Sequence, residues 1–300
     1  MNRLNRRDFL MTTGVVGAGV GLTVLGGARL TAAELAQGAA NAEKLGWRLG
    51  MQAWTFHNAT LFEAIDNTAA LGLHYIEAFP GQKLSKEKPD AIVGDDSPAE
   101  VRKAIKRKLA DSGVKMVNLG CCTLSKDPDQ CRKMFEFAKD MDIETLVSEP
   151  DEEAFDTLDK LSEEYGINVA VHNHPKPSHY WNPETVLKVC RGRGRRIGAC
   201  ADTGHWMRSG FTPVECLKKL EGRIISFHLK DLNKKARKAH DVPWGTGVCD
   251  VKGMLAEVQR QGIKPFFAIE YEHNWGKAMP ELAQCVEYFN KTTGELAARG

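Results

Sequence analysis

The sequence predicts a single-domain α/β fold, a (β/α)8 TIM barrel, and three observations carry that expectation. From Trp47 onward, short apolar runs alternate with longer amphipathic stretches, the pattern of βα units on a parallel sheet. Eight such units fit into about 250 residues, the usual size of a closed barrel. No glycine-rich dinucleotide turn follows the first strand, and no Ser/Pro-rich linker or low-complexity segment divides the chain, which disfavours a doubly wound sheet.

The elements follow in order. Strand one, residues 48–54, leads to a helical pattern over 61–71 that Gly72 stops, and strand two, 75–79, leads to 99–111 and Gly113. Strand three, 115–119, precedes the helical stretch 127–141; strand four, 145–148, precedes 152–165 and Gly166. Strand five, 168–171, precedes 183–190, and strand six, 197–201, precedes 212–220 and Gly222. Strand seven, 224–229, precedes 251–261 and Gly262, and strand eight, 266–269, precedes 280–297. Glycine at a helix end supplies a left-handed stop, and Pro183 and Pro213 suit the first turn. The longest insertions, about 81–98 and 233–247, follow strands two and seven and so overhang the C-terminal mouth of the barrel.

Composition narrows the function classes. The 300 residues are 42% hydrophobic and 27% charged with a net charge of +2, so no positive excess exists to neutralise a phosphate backbone, and nucleic acid is not expected as a partner. Eight cysteines without a CxxC pair are too sparse for a disulfide scaffold and read as reduced, mostly buried thiols.

Barrel enzymes place their chemistry just after the strands, and here those positions are repeatedly ionisable. Strand two carries Glu77, strand four ends in Glu149, strand five in His172-Asn173-His174, and strand six in Asp202-Thr203-Gly204-His205. Strand seven carries His228-Leu229-Lys230-Asp231, and strand eight runs into Glu270-Tyr271-Glu272. His, Asp, His and Glu at four consecutive strand ends are costly to bury unpaired, and one metal ion satisfies them together. Mixed oxygen and imidazole donors suit Mn²⁺, Mg²⁺, Co²⁺ or Zn²⁺.

Asp-Thr-Gly-His, then His-Leu-Lys-Asp, then Ile-Glu-Tyr at barrel spacing resemble the xylose isomerase-like superfamily of sugar isomerases and epimerases, over essentially the whole chain after the N-terminus. The resemblance implies a divalent metal held by strands five to eight and chelating adjacent sugar oxygens. By it, Asp202, His228 and Glu270 fall on ligand positions, while the position usually held by a strand-five glutamate falls on His172. Either His172 or the neighbouring Glu149 then completes the set. In epimerases of the superfamily two glutamates also carry protons on opposite faces of the substrate, so a histidine here weakens epimerisation and strengthens elimination. The same resemblance gives His205 a substrate-contacting or proton-handling role.

The other residues divide between site and scaffold. His174 is expected in the site; Lys230 either steadies an enolate oxygen or pairs with Asp231; Arg208 and Lys277 read as surface charges. Glu77 and His57 lie near the mouth-facing ends of early strands, where they either contact a substrate hydroxyl or pack. Trp54, Trp181, Trp206, Trp244 and Trp275 all fall at strand ends or in the loops after them, where they either stack on a sugar or pack the loops.

The expectation is therefore an isomerase or epimerase that abstracts a proton next to a carbonyl of an unphosphorylated sugar or keto-sugar. Catalysis falls to Glu149, His205, Glu270 and Lys230, and substrate contacts to His174, Trp54, Glu77, Trp206 and Trp244. A lyase or dehydratase on a keto-glycoside or polyol is the alternative within the same chemistry, and a non-catalytic sugar-binding barrel is the alternative outside it. The related abasic-site endonucleases need further histidines where Glu77 and Asn118 or Leu119 stand.

The N-terminus reads as an address. Asn5-Arg6-Arg7-Asp8-Phe9-Leu10, followed by an uncharged stretch over 11–28 with six glycines, resembles a twin-arginine export signal. Cleavage after Ala42, or near Ala33, leaves a barrel over 43–300 with 37 basic and 37 acidic residues when the cut follows Ala42. The expected partners are a small carbohydrate and the twin-arginine export machinery, with membrane contact only during export, and the expected location is the periplasm.

Overall fold

The computed structural model describes residues 38–299, so the twin-arginine segment lies outside the described residues. Eight strands, β1 (Arg48–Gln52), β2 (Tyr75–Ala78), β3 (Lys115–Cys122), β4 (Thr145–Ser148), β5 (Asn168–His172), β6 (Ile197–Asp202), β7 (Ile224–Leu229) and β8 (Phe266–Ile269), pair in sequence order. All pairs are parallel, and β8 returns to β1 in the register Arg48↔Phe266 to Met51↔Ile269, which closes the barrel. The (β/α)8 class expected from the sequence is the observed one.

The crossovers are α2 (Leu61–Ala70), α3 (Ala99–Ser112), α4 (Pro128–Asp140), α5 (Phe155–Tyr165), α6 (Pro183–Cys190), α8 (Pro213–Lys219), α9 (Val251–Gln261) and α10 (Met279–Ala297). Among the described residues two further α-helices are short: α1 (Ala40–Lys44) before β1, and α7 (Thr203–Arg208) directly after β6. Local chemistry sets the ends. Thr60 and Glu63 form a reciprocal capping box at the start of α2, Asp127 caps α4 ahead of Pro128, and α5 and α9 stop at Gly166 and Gly262, whose φ values are +70° and +65°.

Alternation along the strands separates two packing layers. Val117, Phe266 and Ala268 form one buried cluster, and Val147, Ala170 and Cys200 another. His172, Asp202 and Glu270 each lie two residues beyond a member of these clusters and share its face, at the C-terminal mouth. The opposite face packs on the helices: Phe267 lies 4.7 Å from Phe227 and 5.1 Å from Phe289 of α10, ring centre to ring centre.

Several details differ from the sequence expectation. β3, β5 and β6 run one to three residues further, so His172 and Asp202 are the last residues of their strands rather than loop residues. Residues 203–208 are helical because Asp202 caps them, its Oδ1 accepting the His205 N–H at 2.6 Å. Ala42, the expected cleavage position, is buried in α1, whose Asn41 accepts no loop role but bonds Asn290 of α10 through both its backbone and side-chain N–H groups. All eight cysteines are free, seven buried and Cys121 exposed.

Candidate active site

Four strands deliver the central group. His172 ends β5, Asp202 ends β6, His228 lies within β7, and Glu270 follows β8. One donor atom from each lies within 4.8 Å of all the others, and all four side chains are buried. Both ring nitrogens of His172, Asp202 Oδ2, His228 Nδ1 and Glu270 Oε2 have no hydrogen-bond partner. Buried polar atoms left this way cost about 1–3 kcal/mol each, so the four that converge, one from each residue, mark the place of a ligand.

The support behind the group fixes which atoms face inward. His228 Nε2 lies 2.8 Å from Glu77 Oε1, so the ring donates from Nε2 and keeps its Nδ1 lone pair for the site. Glu77 is itself held, accepting from Gln52 Nε2 at 2.9 Å and Asn118 Nδ2 at 3.2 Å. Position 120 must be glycine for this: a Cβ there would stand 2.7 Å from Glu77 Oε1. Asn173 clamps β6 from β5, exchanging two 2.9 Å hydrogen bonds with the backbone of Asp202.

Lys230 enters the same volume. Its Nζ donates to Glu272 Oε2 at 2.9 Å and lies 2.8 Å from Asp202 Oδ2 and 2.7 Å from Glu270 Oε2. These last two approaches are off the directed hydrogen-bonding geometry, which is why both oxygens remain without a partner. Burial opposes the ammonium, yet Asp202, Glu270 and Glu272 hold the Lys230 pKa well above its ordinary value. Burial likewise opposes ionisation of Glu270, and the Lys230 ammonium with the His228 ring beside it holds its pKa below the usual carboxylate range. With two carboxylates, two imidazoles and more acidic than ammonium charge, the donor set fits a divalent cation.

The structure re-sorts the remaining sequence expectations. Glu149 is not among the four: its Oε1 accepts the His174 backbone N–H at 2.9 Å and faces His174 Nδ1 at 2.8 Å, and its Oε2 accepts from Ser178 at 2.7 Å. Glu77 contacts no mouth; it is buried and holds His228. His205 Nδ1 takes an N–H from Arg208 at 3.0 Å, and a guanidinium only donates, so the ring proton sits on Nε2, 3.5 Å from Asp202 Oδ2. Burial, with Lys230, His172 and Arg208 nearby, holds the His205 pKa well below its ordinary value. The ring therefore orients Asp202 and offers no free lone pair as a base.

Arg208 is no surface charge. It is half-buried between Asp241 at 3.1 Å and Glu272 at 2.9 Å, because the 233–247 insertion folds back over it. Lys277 is exposed as expected. Lys230 does not pair with Asp231, whose carboxylate instead accepts four backbone N–H groups of the following loop. Trp206 and Trp244 are buried, and Trp244 packs on the helix layer, 5.8 Å from Phe289. Trp54 and Trp275 are exposed and flank His57, at 5.1 and 4.3 Å between ring centres. Sequence reasoning missed Glu272 as a site member, although its spacing of two from Glu270 is a legible signal; Asp241, far along an insertion, carried none.

A family model described as xylose isomerase-like TIM barrel matches residues 65–290. An inosose dehydratase of Bacillus cereus (strain AH820) is 26% identical over 44% of this chain and 47% of its own length, so the chain spans less than half of that curated relative. A solved structure of an uncharacterised protein from Parabacteroides distasonis is 33% identical, with 82% of this chain and 99% of that one covered and a TM-score of 0.68. A xylose isomerase-like barrel from Mycobacterium smegmatis in complex with magnesium shares the fold at 12% identity, covering 83% and 97% of the two chains, with a TM-score of 0.63.

Proposed function

Because the chain belongs to the xylose isomerase-like TIM barrel family, we propose that it is a divalent-metal-dependent enzyme that abstracts a proton next to a carbonyl of an unphosphorylated keto-sugar or keto-polyol and expels the neighbouring hydroxyl, a dehydratase-type reaction. His172, Asp202, His228 and Glu270 would hold the cation. When bound, it would polarise the carbonyl and acidify the adjacent C–H.

One observation carries the choice of elimination: Lys230 Nζ stands 2.7 Å from Glu270 Oε2, so an acid adjoins one of the carboxylates that would hold the cation. Elimination needs one base and one acid, and Glu270 takes the proton while Lys230 supplies one to the departing hydroxyl. Isomerisation or epimerisation, the first expectation from the sequence, calls for a second proton carrier on another face. Glu149, 3.9 Å from His172, is instead taken up by His174 and Ser178, which occupy both of its oxygens. Arg208 and His205 position Glu272 and Asp202, and Trp54 and Trp275 offer exposed aromatic faces at the mouth for an apolar sugar face.

The relative named an inosose dehydratase supports this choice at low identity. The test incubates metal-loaded protein with unphosphorylated keto-sugars and keto-polyols in D2O and follows products by mass. Loss of one water supports the proposal; an isomer of unchanged composition carrying solvent deuterium selects the isomerase or epimerase reading instead; retained ligand affinity with no turnover selects the sugar-binding barrel. Export through the twin-arginine machinery to the periplasm belongs to the same proposal, and an Arg6→Lys, Arg7→Lys pair should keep the protein in the cytoplasm.

A further inference from the structure

A second set of donors converges where β3 and β5 end. Cys121 Sγ, a ring nitrogen of His172 and a ring nitrogen of His174 lie within 4.8 Å of one another. Cys121 is the exposed cysteine, whereas the other seven are buried.

His172 joins this set to the first. Its ring is buried, and neither nitrogen has a hydrogen bond. Nε2 lies 3.6 Å from Asp202 Oδ2 and Nδ1 lies 3.9 Å from Glu149 Oε1, so the ring presents one nitrogen to each side. A cation among His172, Asp202, His228 and Glu270 satisfies one of those nitrogens and leaves the other, so the orphaned Nδ1 points to a second ligand.

His174 is prepared in a matching way. Glu149 Oε1 faces its Nδ1 at 2.8 Å, and an ionised carboxylate can only accept, so the proton lies on Nδ1 and the lone pair on Nε2. A carboxylate that fixes one ring nitrogen while the other ligates is the usual support of a metal-binding histidine. The same Glu149 oxygen accepts the His174 backbone N–H, and Ser178 holds the other oxygen, so the support is itself anchored.

We propose that Cys121, His172 and His174 form a second cation site beside the first, with His172 shared between the two and Glu149 as the positioning carboxylate of His174. A thiolate with two imidazoles selects a thiophilic ion such as Zn²⁺ or Co²⁺ and leaves a fourth coordination position for water or substrate, whereas Mg²⁺ and Mn²⁺ are confined to the carboxylate-rich first site. Filling the second site breaks the Cys121 S–H bond, and filling both sites also removes the remaining ring proton of His172, making it an imidazolate bridge. Both protons pass to solvent.

Cobalt titration of the metal-free full chain tests this apart from any turnover. The wild type should bind two Co²⁺ per chain by elemental analysis, with thiolate-to-cobalt charge-transfer absorption in the near ultraviolet. Cys121→Ser should bind one and lose that absorption, while its metal-free melting curve shows that the fold is kept. Glu270→Gln, which damages only the first site, should retain the absorption, so failure of the first site and of the second are distinguishable. One cobalt without thiolate absorption in the wild type, absorption that survives Cys121→Ser, or its loss in Glu270→Gln would overturn the proposal.

Discussion

Asp231 is the residue whose replacement should cost the fold most for the smallest change. Its buried carboxylate accepts four backbone N–H groups: Oδ1 takes Leu232 at 3.0 Å and Cys249 at 2.9 Å, and Oδ2 takes Gly245 and Gly247, each at 2.9 Å. The loop wraps so closely that a Cβ at position 247 would stand 2.3 Å from Oδ1. Each donor left without a partner costs about 1–3 kcal/mol, and partial hydration of the freed loop offsets some of the total. Asp231→Ala should therefore lower the unfolding free energy by about 3–5 kcal/mol. Asp231→Asn keeps one acceptor oxygen but sets an amide NH2 against two donors, and should lose about 2–4 kcal/mol. Urea denaturation gives the numbers, with an unchanged m-value showing that the unfolded state is not altered. The loop also carries Asp241 to Arg208, so both variants should weaken divalent-ion binding. A loss under 1 kcal/mol in Asp231→Ala would refute the idea that this carboxylate holds the loop.

Three further outcomes follow from the site. Glu77→Gln removes the carboxylate behind His228 Nε2 and should weaken Mn²⁺ affinity about 10–100-fold by equilibrium dialysis, with the circular dichroism spectrum unchanged. Lys230→Met strips the ammonium from Asp202, Glu270 and Glu272; the metal-free protein should lose about 3–5 kcal/mol in stability, and Mn²⁺ should restore part of it, while turnover falls at least ~100-fold. Burial outweighs Lys230 and Arg208 in raising the Asp241 pKa from 3.8 to about 6. An acid with a raised folded pKa holds its proton longer in the fold than out of it, so its contribution is greatest below the unfolded value and is lost as pH rises to about 6, by roughly 3 kcal/mol. Denaturant midpoints between pH 4 and 7 should show that decline in the wild type and not in Asp241→Asn.

What was legible in the sequence and what was not have separate physical origins. Strand positions repeat with apolar runs, and helix ends carry their own chemistry in Gly113, Gly166 and Gly262, so the barrel and most element boundaries follow from local signals. Residues at the strand ends were legible because alternation fixes their face: Ala170 and Cys200 predict where His172 and Asp202 point. Roles set by long-range contact were not legible. Glu77 sits at the right strand end for a substrate contact, yet it turns inward because His228, from five strands away in sequence, needs a carboxylate. Arg208 reads as a surface charge and is half-buried only because a loop some thirty residues later returns with Asp241. Trp206 and Trp244 show the same limit, since position after a strand does not decide whether a large ring turns to the mouth or to the helix layer.

The most direct test of the account is Mn²⁺ binding to metal-free protein, followed by electron paramagnetic resonance of the free ion. The arrangement of His172, Asp202, His228 and Glu270 requires one Mn²⁺ per chain, lost in Asp202→Asn and in Glu270→Gln while Cys121→Ser retains it. Wild-type protein that takes up no Mn²⁺, or binding that survives Asp202→Asn and Glu270→Gln unchanged, would contradict it.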